Sequence, residues 1–82
     1  MATELLNYRK RAGATQTEMA NAMGMPLRSY QDVESGKNPF RPIHAKAADL
    51  AMITLAIEKE DSLILHGDLE DLVRAAAKLL PA

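Results

Sequence analysis

Residues 15–36 read TQTEMANAMGMPLRSYQDVESG, and this stretch decides the fold. Thr15 and Glu18 have the Thr-x-x-Glu spacing of a capping box, in which the hydroxyl accepts an orphan amide and the carboxylate reaches back. Met19, Ala20 and Met23 then recur on one face at helical spacing. Gly24 and Met25 make a turn. A second short helix, residues 26–35, opens with Pro26 in a first-turn position, where its missing N–H is harmless. Tyr30 and Val33 face inward and Gly36 ends the helix. By helical geometry Leu27, Arg28, Gln31, Asp32 and Ser35 fall on the other side, forming a largely polar stripe that the core does not need.

Outward from this motif, a first helix is expected over residues 4–12, with Leu5, Leu6 and Ala12 available to the core and Gly13 closing it. Residues 37–42, KNPFRP, form a loop held by two prolines. A fourth helix, residues 43–59, is apolar around most of its circumference: Ala47, Leu50, Ala51 and Ile57 lie along one side, Ala48, Met52 and Leu55 along another. Residues 60–67 fit a short strand, a helical turn or a packed loop. Asp68 caps a fifth helix, residues 68–80, whose Leu69, Leu72, Val73, Ala76 and Leu80 form an apolar stripe. Glu70 and Asp71 in its first turn and Lys78 in its last suit the helix dipole. The expectation is one compact all-α domain of five helices spanning residues 1–82, with a helix-turn-helix at 15–36.

Composition agrees. Eighty-two residues leave room for one hydrophobic core. Ala, Leu and Met, good helix formers, supply most of the apolar residues, while Val occurs only at Val33 and Val73. The absence of cysteine excludes disulfides and thiolate metal sites and makes the cytoplasm the expected compartment, as does the lack of a basic, apolar leader. The apolar-rich run 45–57 carries Lys46 and Asp49 and is too short for a bilayer, so no membrane partner is expected. The net charge of −1 hides an asymmetry. Through Arg41 the basic residues Arg9, Lys10, Arg11, Arg28, Lys37 and Arg41 outnumber Glu4, Glu18, Asp32 and Glu34; from Pro42 onward the balance is acidic. The basic half carries the two-helix motif, as expected where one face meets phosphates.

Gln16-Thr17-Glu18-Met19-Ala20, then Gly24, then Val33-Glu34-Ser35-Gly36-Lys37, resembles the Cro and phage-repressor helix-turn-helix family, also called xenobiotic-response-element-like regulators. The similarity covers about residues 5–55. It implies a lambda-repressor-like DNA-binding fold whose second motif helix enters the major groove of double-stranded DNA. One departure is Pro26, which stands where the family commonly has a Ser or Thr cap and shifts the helix start by a residue.

On this reading Leu27, Arg28, Gln31 and Asp32 face bases. Arg28 suits guanine O6 and N7, Gln31 adenine and Leu27 a thymine methyl, while Asp32 accepts from cytosine N4, repels wrong sequences or orients Arg28 one turn away. Gln16 and Thr17 at the start of helix two, Ser29, and Lys37, Asn38 and Arg41 of the loop are expected at phosphates. The resemblance also implies that Arg9 and Glu34 form a structural ion pair tying helix one to helix three. An ordinary solvated helix face is the bland alternative.

No cofactor, metal or catalytic set is expected. His44 and His66 are far apart without companion ligands, and adjacent Glu70 and Asp71 point to different faces. The sequence therefore favours a dimeric repressor of bacterial or phage origin on a palindromic operator, the homodimer covering the spare face of helix four unless helix five does so. The competing readings are an antitoxin-like or adaptor protein whose C-terminal helices bind a protein partner, and a helical interaction module without DNA binding.

Overall fold

Two glycine-terminated helices set the chain's course. In the computed structural model, which describes residues 4–65 and 67–81, α1 (Glu4–Ala12) ends where Gly13 adopts φ +62°. The Gly13 and Ala14 amides fold back to the carbonyls of Lys10 and Arg9, closing the helix with a Schellman pair. The same device closes α2 (Gln16–Met23): Gly24, at φ +73°, and Met25 donate to Asn21 and Ala20. A left-handed residue at each end reverses the chain within a few residues, at little steric cost for glycine. The capping box at the start of α2 is complete, with Glu18 N–H on Thr15 Oγ1 at 3.1 Å and Thr15 N–H on Glu18 Oε1 at 3.0 Å.

α3 spans Leu27–Glu34. Pro26 is its N-cap (φ −60°, ψ 142°) and not a residue of its first turn as the sequence suggested. The proline supplies a carbonyl to Tyr30 N–H at 3.0 Å but has no side-chain oxygen to cap the remaining amides. α4 (Pro42–Glu58) starts with a proline in its first turn, and His44 Nδ1 accepts the Arg41 N–H at 2.9 Å.

The apolar pattern explains the packing. α1, α2 and the 3-10 turn Ser62–Ile64 pack on α4, while α3 closes against α1 and α2. Leu5, Met19, Tyr30, Met52, Leu55 and Ile64 are the largest fully buried side chains. Within the segment left open on sequence, residues 62–64 form that 3-10 turn, which seats Ile64 in the core: Asp61 Oδ1 caps it through Leu63 N–H, and Leu63 is exposed, while His66 lies outside the described residues. No strand occurs among the described residues, and five α-helices account for the fold.

The fifth helix departs from expectation. α5 runs Gly67–Ala77, so Asp68 lies inside its first turn and does not cap it, and Leu79 and Leu80 follow in 3-10-type turns. It buries no residue fully. Leu72 is 64% exposed and Leu80 70% exposed, while Leu69 and Val73 are half-buried. Nor does α5 cover the spare face of α4, where Leu50 remains 62% and Ile57 72% exposed. Ala51, expected on that face, is in the core. The Cα radius of gyration, 13.1 Å, exceeds the roughly 12 Å expected for this chain length, consistent with a packed four-helix unit from which α5 extends. No helix among the described residues is long and apolar enough to cross a membrane.

Candidate nucleic-acid interface

A buried carboxylate organises this face. Glu34, at the last turn of α3, accepts Arg9 Nε on Oε2 (2.9 Å) and Arg9 Nη2 on Oε1 (2.8 Å), a parallel two-bond geometry favoured by a planar guanidinium. The Tyr30 hydroxyl, one helical turn earlier, donates to Oε2, and Gln16 Nε2 donates to Oε1 at 3.1 Å. Burial pushes the Glu34 carboxyl up, but the hydrogen bonds from Arg9, Tyr30 and Gln16 outweigh it and hold the group at about 2. Burial and the adjacent carboxylate push the Tyr30 hydroxyl up. Arg9 also donates to the Ala14 carbonyl at 3.2 Å, so one guanidinium joins α1, the α1–α2 turn and α3.

Gln16 is the first residue of α2 and sits against α3. Its Oε1 accepts Gln31 Nε2 at 3.1 Å while its amide nitrogen serves Glu34. Two residues assigned separately on sequence, one to phosphate and one to bases, are thus a hydrogen-bonded pair. Thr17 is exposed beside Gln16.

Along α3 the exposed face is as helical geometry requires. The Arg28 side chain is 79% exposed; Leu27 and Ser29 are also exposed. Asp32, half-buried, lies 3.6 Å from Arg28 Nε in an i,i+4 pair. Its carboxylate is therefore within ion-pairing reach of the guanidinium one turn away. Ser35 bonds back to the Asp32 carbonyl at 3.3 Å.

The loop after α3 is tied to it by the Asn38 N–H, which donates to the Asp32 carbonyl at 2.9 Å. Lys37, Asn38 and Arg41 are exposed, and Phe40 is half-buried against His44, ring centroids 6.0 Å apart. Pairing leaves the electrostatics more one-sided than the count of charges suggested. Glu34 is matched by Arg9, Asp32 by Arg28 and Glu18 by Lys59, whereas Lys10, Arg11, Lys37 and Arg41 make no ion pair among the described residues.

The role of the Tyr30 hydroxyl was missed on sequence, where Tyr30 counted only as an apolar anchor. Its i,i+4 spacing to Glu34 is the signal that was present. Among the described residues no group of three or more His, Asp or Glu side chains is arranged to hold a metal; His66 lies outside them. Comparison with family models, curated proteins and solved structures finds no match to this chain.

Proposed function

We propose that this chain is a sequence-specific DNA-binding regulator of the helix-turn-helix type, with α2 and α3 as the motif and α3 as the helix that enters the major groove. The observation that carries the reading is α3 itself. It is anchored through Tyr30, Val33 and Glu34, yet holds Leu27, Arg28 and Ser29 outward and exposed. A rigid helix with a surplus polar face, flanked by Lys37 and Arg41, which make no ion pair among the described residues, has the chemistry for base edges between phosphates. Arg28, Gln31 and Leu27 read bases, Asp32 steers Arg28, and Gln16, Thr17, Ser29, Lys37, Asn38 and Arg41 serve the backbone.

The module acts as a homodimer. The chain exposes 5672 Å², about 800 Å² more than the roughly 4,900 Å² expected of a 9.0 kDa monomer. That excess is about one partner's share of a standard interface. An uncovered groove between α4 and α5, of about 420 Å³, has Leu50, Ile53, Leu69, Leu72 and Val73 among its lining. The groove's own charges, Lys46 and Asp49, and the Glu70–Arg74 pair on α5 are balanced, so two identical faces meet without net repulsion. Two copies set two α3 helices about one DNA turn apart on an inverted repeat, and a repressor acting by occlusion needs nothing more.

The same exposed stripe supports a second reading, in which the acidic C-terminal half receives a different protein. Selection from a random pool of duplex DNA at moderate salt tests both. An enriched inverted repeat supports the dimeric regulator, and a single half-site keeps the reader and removes the dimer. Salt-labile retention without enrichment favours the protein partner.

A further inference from the structure

We infer that the cavity between α1, α4 and the start of α5 is a binding site for a small organic cation, an ammonium group carried on an apolar body. No residue of α2 or α3 lines it, and the inference does not rest on the DNA-binding reading.

The cavity measures about 450 Å³, within the roughly 300–1,000 Å³ of pockets that take small molecules. Tyr8 of α1, Asp49 and Met52 of α4, and Asp68, Leu69 and Leu72 of α5 line it. Met52 is buried and Leu69 half-buried, so apolar wall stands beside the carboxylates.

Asp49 is the residue that calls for an explanation. It shares the apolar run 45–57 with one other charge, Lys46, and it is half-buried. A carboxylate can accept about four hydrogen bonds, and covering it without them is costly. Among the described residues Asp49 accepts one, from the Tyr8 hydroxyl, and 3.3 Å is long for an O–H donor. Neither Asp49 nor Asp68 makes an ion pair among the described residues. Burial and the neighbouring Asp49 push the Tyr8 hydroxyl up, which keeps it protonated and donating.

The ligand's chemistry follows by elimination. The polar side chains of the lining offer two carboxylates and a phenol whose proton is committed to one of them, so all that remains is acceptors. An anion is repelled there, and a neutral acceptor finds no side-chain donor. A metal ion lacks ligands, because no three His, Asp or Glu side chains come together among the described residues. A donor with positive charge and hydrocarbon beside it meets every wall: the ammonium on Asp49, the body against Met52, Leu69 and Leu72. The acidic balance from Pro42 onward favours the same sign of charge at longer range.

Asp49, Leu69 and Leu72 also line the groove assigned to the second copy, so binding is best read residue by residue and not through oligomeric state. The test is an amide-resolved NMR titration of the whole chain at neutral pH with phenethylamine. Phenethyl alcohol and hydrocinnamate, which keep the aromatic body and carry a neutral or an anionic group, are titrated beside it. The amine should give saturable shifts at Tyr8, Asp49, Met52, Leu69 and Leu72, and the other two should bind at least about tenfold more weakly. Asp49→Asn should weaken the amine by about tenfold or more, the loss of a charge-assisted hydrogen bond. Asp68→Asn, at an exposed position, should weaken it less. Asp71→Asn, an exposed neighbour outside the lining, should leave it unchanged. Circular dichroism checks that each variant folds, and the three probes on wild type carry the test if Asp49→Asn does not. Equal binding of the alcohol would show an apolar pocket without a cation site. Unsaturable shifts spread over the acidic residues would show charge screening alone. Either result, an amine affinity untouched by Asp49→Asn, or no shift with any probe overturns the inference and leaves the DNA-binding reading as it was.

Discussion

Arg9 and Glu34 lie 25 residues apart and are joined by two parallel hydrogen bonds, of 2.9 and 2.8 Å, inside a protein with little core to spare. The Glu34 side chain is 7% exposed and the Arg9 side chain 22%. Removing the cation leaves a buried carboxylate without its charge partner, though still bonded by Tyr30 and Gln16. Arg9→Met is expected to cost about 3–5 kcal/mol, against a total of roughly 4–12 kcal/mol for a chain of this length. Urea denaturation followed by circular dichroism measures it. A loss under 1 kcal/mol would mean that the pair does not hold α1 to α3.

Acid should attack the same point. With Glu34 at about 2 in the folded protein and 4.5 ordinarily, the unfolded chain binds the proton more readily. The stabilisation is therefore present above pH 4.5 and lost as pH falls toward 2, on the order of 3 kcal/mol. Stability measured across this window should fall in wild type and fall less in Glu34→Gln. Equal slopes would assign the acid sensitivity to other carboxylates.

Thr15→Ala removes the hydroxyl of the capping box and should cost about 1 kcal/mol, a fall of roughly 4–8 °C in Tm for a domain of this size. Thermal unfolding is the measurement. The helical content at 25 °C should stay unchanged, because α2 is held chiefly by Met19 and Ala20 in the core.

The proposed reader separates from its scaffold at Arg28. Its side chain is 79% exposed and its pair with Asp32 is long, at 3.6 Å, so Arg28→Ala should leave stability within about 0.5 kcal/mol of wild type. Affinity for the selected site should fall by about 1–3 kcal/mol and discrimination relax at one base pair. Lys37→Ala should instead weaken all sequences alike and reduce the salt slope by about one. If both substitutions leave duplex binding untouched, α3 does not face DNA.

Leu72→Glu addresses the apolar groove. Leu72 is 64% exposed in the single chain, so a monomer should tolerate the carboxylate, whereas a dimer closing over α5 should not. Sedimentation equilibrium should show wild type at twice 9.0 kDa and the variant at one chain mass. A wild type that remains monomeric at high concentration would remove the second copy as the partner of this face.

The helical elements were legible in the residues because their determinants are local. The Thr15–Glu18 box, the glycines at 13, 24 and 36 and the spacing of Met19, Tyr30 and Val33 act within a turn or two, and each appears in the structure as read. Errors fell where a local signal had two solutions. A proline fits both a cap and a first turn, and the structure uses Pro26 as the cap. The stripe on α5 was equally visible, but periodicity reports that a face is apolar and not what covers it.

The network at Glu34 belongs to the tertiary structure. Spacing could suggest that Arg9 meets Glu34, but no local rule joins Gln16 to Gln31, because their contact exists only once Gly24 has folded α2 back against α3. Gln16 in turn donates to a carboxylate contributed by a third site in the sequence. What the sequence by itself determined was therefore the set of helices and their apolar faces, since backbone capping and hydrophobic periodicity operate over a few residues. The tertiary structure alone decided which polar groups are already satisfied by one another, and which are left facing outward, because hydrogen bonds between separate helices depend on where the whole core brings them.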